Sequence, residues 1–181
     1  KPIEQNRFDL AIEKIKNLNG PSPKIDIEAL IAAFDNQKGS RAVTALPIKS
    51  GQKIFVQGSA ATPLMLTQAL GRRAAELNQV EIISISTLGD IGLLNPGFPG
   101  SFYINSLFVS ANTREAVNDN RGDYIPVFLS EIPRLFNDKI IQPDIALIHV
   151  STPDKHGFCS LGVSVDIARS AVKNARLVIA Q

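Results

Sequence analysis

Tryptophan is absent from this chain of 181 residues, and cysteine and histidine are scarce, with one Cys and two His. A single cysteine excludes an internal disulfide and fits a reducing compartment, so a cytoplasmic location is expected. His156 and Cys159 share one stretch, but one of each falls short of the three or four ligands a metal centre needs. Aromatic residues make up 6% of the chain and do not interleave with Lys and Arg, and the formal net charge is only +2. Basic residues are scattered, with Arg72-Arg73 the one adjacent pair, so no nucleic-acid partner is expected. No signal peptide and no apolar run long enough to span a bilayer is present, so no membrane partner is expected either. A nucleoside-triphosphate loop, a Gly-x-Ser-x-Gly elbow, a dinucleotide fingerprint and a paired-carboxylate arrangement are all missing. There is no internal repeat and no low-complexity segment.

What remains is the pattern of an α/β domain. Residues 145–150 form a nearly unbroken apolar run, as in a strand buried on both faces. Residues 151–162 break it with Pro153, Asp154, His156, Gly157, Ser160 and Gly162. Helical spacing follows over 163–175, where Val163, Ile167, Ala171 and Val172 can share a face. Earlier, 53–57 reads as a strand, and Gly58-Ser59-Ala60-Ala61 as a turn of small residues. A helix over 63–77 should follow, with Thr62 as cap, Pro63 at its first position, and Leu66, Leu70 and Ala74 inward. Strands are predicted over 80–86, 102–109, 124–128 and 177–180. Short helices are predicted over 113–118 and 129–136, and a turn over 120–123. Two helices, over 8–18 and 27–34, would precede all this, and 41–49 is ambiguous between helix and coil because of Pro47. Strands alternating with helices predict a mostly parallel sheet with helices on both faces. The chain starts without Met and ends inside an apolar run, so a fragment of a longer protein is expected.

Ligands of open α/β sheets sit at the carboxyl ends of strands, which singles out two strand-to-helix loops. Gly58-Ser59-Ala60-Ala61 would present backbone N–H groups at a helix N-terminus to a carboxylate, phosphate or oxyanion. The same residues also suit a tight turn that packs a helix on a sheet. Asp154, His156, Cys159 and Ser160 cluster in the second loop. A Cys–His nucleophile pair is one reading, but Phe158 and Leu161 flank Cys159, which favours a packed, inert thiol. His149, inside an apolar run, reads as a core or interface residue hydrogen-bonded at its ring nitrogens. Asp123 and Asp138 read as turn residues, and Glu131 as a cap or, alternatively, a base. The long loop 87–101 is expected to be functional.

Three segments carry a resemblance. The first runs from Ile48 through Phe55-Val56-Gln57-Gly58-Ser59-Ala60-Ala61-Thr62-Pro63. The second is Asn105-Ser106-Leu107-Phe108-Val109-Ser110-Ala111-Asn112-Thr113-Arg114-Glu115-Ala116-Val117-Asn118, continuing through Gly122-Asp123-Tyr124 to Glu131-Ile132-Pro133. The third spans 150–175 and includes Pro153-Asp154-Lys155-His156-Gly157-Phe158-Cys159-Ser160-Leu161-Gly162. Together, in this order, they resemble the acetyl-CoA hydrolase/transferase family, which includes acetate and 4-hydroxybutyrate CoA-transferases. The resemblance covers 46–181 and implies the N-terminal half of a CoA-transferase α/β fold, with 1–45 as a helical extension. It implies movement of CoA between an acyl-CoA and a short-chain carboxylate, or its release to water, through a glutamyl-CoA thioester. The glutamate would lie beyond Gln181, so no catalytic residue is assigned here. The C-terminal half of the same enzyme and a second copy of the chain would be partners. No cofactor is implied, coenzyme A entering only as the thioester substrate. The substrate-binding residues implied are Gly58, Ser59, Ala60 and Ala61 for a carboxylate or acyl oxygen, and Asp154, His156, Gly157 and Ser160 for a second wall. Thr87 opens a loop that would shape acceptor choice. Asn105 stands where the family has an Arg-His-Asn or related run, although here Tyr103 and Ile104 precede it. Two other classes compete: a non-catalytic acyl-CoA or carboxylate binding module of the same fold, and a phosphosugar isomerase-like enzyme. The latter would want a Ser/Thr/Gly phosphate run beside a carboxylate base, a combination not found here.

Overall fold

A computed structural model describes residues 46–181 and the backbone of Lys24–Ile25. The helices expected over 8–18 and 27–34, and most of the ambiguous stretch 41–49, lie outside the described residues. Seven strands form one sheet in the order β1-β7-β6-β2-β3-β4-β5. They are β1 (Lys24–Ile25), β2 (Lys53–Val56), β3 (Val80–Ser84), β4 (Phe102–Ser106), β5 (Gly122–Tyr124), β6 (Ile145–Ile148) and β7 (Leu177–Ala180). Every pairing between them is parallel. The expectation of a mostly parallel sheet therefore holds in its strictest form among the described strands.

Parallel strands need helical crossovers, and those helices cover both faces. Alternation along each strand sorts the core in two. Ile54, Val56, Ile82, Ile104, Ile145 and Leu147 join one cluster, which also takes Leu66, Ala69 and Leu70 of α1 (Leu64–Gly71) and Ala116 of α2 (Arg114–Asn118). Phe55, Ile83, Ala146 and Ile148 face the other way. They pack with Ile132 and Phe136 of α3 (Ile132–Asn137) and with Ala168 and Ala171 of α4 (Ala168–Asn174). Phe55 and Phe136 meet edge to face, with ring centroids 5.8 Å apart, a favoured aromatic geometry. Ile54, Leu66, Leu70, Val80, Leu147 and Ile179 have no exposed surface; burying a side chain of this size stabilises by about 1.5–3 kcal/mol.

The strand order decides where a ligand could enter. From β2 the chain steps outward through β3, β4 and β5, with α1 and α2 on one face. It then returns to the other side of β2 for β6 and β7, with α3 and α4 on the opposite face. The winding direction thus reverses between β2 and β6. At such a topological switch the connections leave the sheet in opposite directions and open a crevice at the strands' carboxyl ends.

Several sequence expectations are corrected. Helix α1 stops at Gly71 and is followed by a 3₁₀ turn, Ala74–Glu76, rather than running to 77. There Arg73 turns back to donate to the Leu46 and Ile48 carbonyls, at 2.7 and 3.2 Å. Thr62 does not cap α1: its hydroxyl donates to the Ser59 carbonyl at 2.7 Å. The orphan Leu66 N–H instead meets Gln181 Oε1 at 3.0 Å, supplied from just beyond β7. Residues 120–123 are not all turn: the chain reverses over Asp119, Asn120 and Arg121, with Asn120 at φ 58°, and Gly122 already pairs in β5. That strand ends at Tyr124, leaving Phe128 76% exposed. The helix predicted over 163–175 begins only at Ala168, after Asp166 at φ 39°, and Val163 is 85% exposed. Residues 161–164 are drawn out of helical geometry because the Leu161 and Ser164 carbonyls accept from a side chain on the sheet.

Candidate functional site

The turn after β2 is built by close approach. A Cβ on Gly58 would fall against the Ser86 carbonyl oxygen, inside van der Waals contact, so only glycine lets β2 end this near the segment leaving β3. The same carbonyl accepts the Ser59 N–H at 2.8 Å. Ser59 sits at φ 53°, pairs as an isolated parallel bridge with Thr87, and sets its hydroxyl 3.1 Å from that of Ser86. The turn then closes on itself: Ala61 N–H donates to Gly58 O at 3.1 Å and Thr62 N–H to Ser59 O at 3.1 Å. These bonds narrow the anion-accepting picture. The amides of Ser59, Ala61 and Thr62 are committed, while no described residue accepts the N–H of buried Gly58 or that of Ala60, exposed at the apex.

Thr87 is 1% exposed, which makes it a wall rather than a surface contact. Its hydroxyl exchanges a hydrogen bond with the Asn112 carboxamide, whose nitrogen lies 3.1 Å away and also donates to Gly89 O at 2.9 Å. Ser110 joins them, its hydroxyl 2.7 Å from Asn112 Oδ1 and 3.0 Å from the hydroxyl of Thr113. A hydroxyl and amide network therefore runs along the carboxyl edge past β3 and β4, pinning the start of the 87–101 loop. Ser86, Ser110 and Asn112 were not singled out from sequence; only their position directly after apolar strands hinted at them.

The loop after β6 is a self-braced finger over 151–160. Ser151 N–H donates to Ser160 O at 2.9 Å, and Ser160 N–H returns to Ser151 Oγ at 2.9 Å. Near the tip Asp154 N–H donates to Phe158 O at 2.9 Å, while Asp154 Oδ1 accepts from the His156 and Phe158 amides at 2.8 and 2.9 Å. Gly157, at φ 83°, makes the reversal. The backbone N–H groups of Phe158 and His156 hold the Asp154 carboxyl below its ordinary range, since they favour the ionised form. Asp154 thus shapes the tip, leaving the exposed Lys155 and His156 side chains on it.

Other residues fall elsewhere. Cys159 is exposed, so the packed thiol expected from its neighbours is corrected. Desolvation, followed by the Asp154 charge, pushes the thiol upward, against the lowered value a nucleophile needs. His149 is exposed and lies just past β6; among the described residues only its backbone N–H is bonded, to Gln57 Oε1 at 2.9 Å, which corrects the core reading. Asn105, on β4, leans back along the sheet and donates to Glu81 Oε1 at 2.6 Å, and Glu81 also pairs with Lys53 at 3.2 Å. Its amide is turned from the carboxyl edge, so it does not join the other candidates. Glu131 precedes α3 without a side-chain capping bond. Asp123 lies within β5 rather than in a turn, and Asp138 follows α3 beside Arg134 at 3.8 Å. Among the described residues no group of His, Cys, Asp and Glu could hold a metal ion, and no helix is long and apolar enough to cross a membrane.

One buried residue ties the two loops together. Gln57, 1% exposed, lies directly after β2 and before Gly58, and reaches the segments on both sides of the finger. The only sequence signal for it was a polar side chain closing the run Ile54-Phe55-Val56.

Comparison with known proteins bears on the family and the fold. A family model described as the acetyl-CoA hydrolase/transferase N-terminal domain matches residues 38–181. Among curated proteins, a succinyl-CoA:acetate/propanoyl-CoA:succinate CoA transferase of Fasciola hepatica is 44% identical over 136 residues, covering 74% of this chain and 28% of the relative. A 4-hydroxybutyrate coenzyme A transferase of Clostridium kluyveri is 38% identical over 134 residues, covering 74% and 31%. The chain therefore spans less than a third of the length of these relatives. Among solved structures, RipA from Yersinia pestis superposes with a TM-score of 0.65 at 25% identity, over 92% of this chain and 37% of that one. A 4-hydroxybutyrate CoA-transferase from Porphyromonas gingivalis does so with a TM-score of 0.59 at 25% identity, over 84% and 31%.

Proposed function

The chain belongs to the acetyl-CoA hydrolase/transferase family, of which it is the N-terminal domain, and from that membership we propose that it forms one wall of an acyl-CoA:carboxylate CoA-transferase site. In this reading the complete enzyme moves CoA from an acyl-CoA to a short-chain carboxylate, or to water. A glutamate outside this chain forms the intermediate glutamyl-CoA thioester, which splits one hard acyl transfer into two easier ones. The observation that carries the reading is that the Gly58 turn and the 151–160 finger leave neighbouring strands on either side of the topological switch.

Each wall has a task in this reading. The Ala60 N–H offers a hydrogen bond to a carboxylate or acyl oxygen, where it counts most if water is excluded. Gly58, Ser59 and Ala61 shape that turn, and Thr87 holds the neighbouring loop. Asp154, Gly157 and Ser160 shape the finger, and His156 stands on its tip. No cofactor is required beyond the thioester itself. The downstream part of the same polypeptide completes the site, and the working form is a homo-oligomer in the cytoplasm.

The test is to express the complete gene product and assay CoA transfer from acetyl-CoA to butyrate. Intact-protein mass after exposure to acetyl-CoA without acceptor should rise by one CoA less water, the mass of a thioester on a carboxylate. Binding of acyl-CoA without turnover and without that adduct would instead identify a non-catalytic binding module.

A further inference from the structure

Gln57 has chemistry that its position in the sequence does not explain. It is a 1%-exposed carboxamide just past a β-strand whose last residues, Ile54, Phe55 and Val56, are all buried and apolar. Burying an amide costs free energy unless each of its groups is bonded. Here all the partners are present. Oε1 accepts the His149 N–H at 2.9 Å, and Nε2 donates to the Leu161 and Ser164 carbonyls, both at 2.9 Å. One donor and two acceptors face this side chain, a set that a carboxamide satisfies and that a carboxylate or an aliphatic side chain of similar size does not.

The positions of those partners matter more than their number. His149 precedes the finger on the outgoing side, and Leu161 and Ser164 follow it on the return. The finger braces itself across Ser151 and Ser160 and across Asp154 and Phe158. One side chain therefore grips the chain on both sides of it. Gln57 is itself anchored: its N–H donates to Leu147 O at 3.0 Å, and the next residue, Gly58, is wedged against Ser86.

We infer that Gln57 is a positioning residue, which sets the finger at a fixed distance and angle from the Gly58 turn so that both face the same substrate. The inference rests on the transferase reading for its catalytic consequence, but not for its structural one. Gln57 touches no reacting atom; it acts through the two loops.

The test uses the complete enzyme with Gln57→Leu and Gln57→Glu, followed by hydrogen exchange and steady-state kinetics. In Gln57→Leu, the amides of 149–164 should exchange about 10- to 1,000-fold faster, as expected for losing three hydrogen bonds that each contribute a factor of about 2 to 10. Those of β2 and β3 should change little. The kcat for CoA transfer should fall about 10- to 100-fold while the KM for acyl-CoA moves less than about threefold, the signature of a displaced wall rather than lost binding. Gln57→Glu keeps the side-chain length and the acceptor for His149. Its ionised form sets a charge against two carbonyls, and only the protonated form restores one donor. Its kcat should therefore recover toward wild type as pH falls, relative to wild type at the same pH. Unchanged exchange over 149–164, equal acceleration across the whole sheet, or a loosened finger with unchanged kcat would each overturn the inference. If the wild-type enzyme transfers no CoA, the functional reading falls. Exchange in Gln57→Leu, and its acid reversal in Gln57→Glu, would then still decide whether Gln57 holds the finger.

Discussion

Gly58→Ala is the most demanding perturbation of this site, because it adds one methyl group where the backbone leaves no room. The new Cβ would press on the Ser86 carbonyl oxygen, which is main chain and cannot rotate away. Relief requires the end of β2 to part from the segment leaving β3. That movement breaks the 2.8 Å bond from Ser59 N–H to the same oxygen and separates the Ser59 and Ser86 hydroxyls. Overpacking of this kind costs about 1–3 kcal/mol, and a lost buried hydrogen bond adds about 1 kcal/mol. A total of about 2–4 kcal/mol corresponds to a fall in Tm of about 5–15 °C for a domain of this size. Thermal unfolding of the variant beside wild type reads this directly. Gly51→Asn is the control: an added Cβ there meets open space, and only the strain of φ +75° remains, which asparagine bears better than most residues, so its Tm should fall by no more than about 4 °C. If Gly58→Ala lost less than about 0.5 kcal/mol, the close approach of β2 to Ser86 would be wrong, and with it the rigidity assigned to the turn.

Three other outcomes are expected. The Asp154 carboxyl titrates below its ordinary value of 3.8 because the folded finger hydrogen-bonds its ionised form. Its contribution to finger order is therefore fully present above the ordinary value and is lost as pH falls through the lowered one; an NMR titration midpoint at or above 3.8 would contradict this. The Cys159 thiol, held upward by desolvation and by Asp154, should react with iodoacetamide more slowly than a free cysteine at pH 8, and Cys159→Ser should leave CoA transfer within about twofold of wild type. Val163→Ser should change stability by less than about 0.5 kcal/mol at its 85%-exposed position, whereas Ile167→Ala, at 2% exposure, should cost about 2–4 kcal/mol; comparable costs would restore Val163 to a buried helix face.

Much of this was legible in the residues themselves. The runs Ile54-Phe55-Val56 and Ile145-Ala146-Leu147-Ile148 announce buried parallel strands, because a strand covered on both faces has no polar side to show. Small residues at 58–61 and the polar break at 151–162 mark the loops, since a buried strand can give way to a functional loop only where backbone and side chains change character. Family membership was equally legible, carried by ordered segments rather than by any one motif. Local pattern failed where a distant atom decided the outcome. Val163 fits a helical face by spacing, yet the carbonyls of Leu161 and Ser164 are taken by Gln57, more than a hundred residues earlier. Thr62 has the chemistry of a cap, but Gln181 satisfies the helix amide and Thr62 turns to Ser59. Cys159 looked packed because Phe158 and Leu161 flank it, and flanking residues do not determine which side of a finger faces water.

The sequence by itself determined that this chain is an α/β domain, which loops are the candidates for its chemistry, and which family it joins. Each follows from periodicity, turn composition or ordered motifs, all of which are local in the chain. Only the tertiary structure decided that the two loops are neighbours. Adjacency of β2 and β6 is a fact of strand order, set by the reversal of winding across the sheet, and no local pattern encodes it. The role of Gln57 exists only once that adjacency does, because its partners are brought within hydrogen-bonding reach by the fold alone.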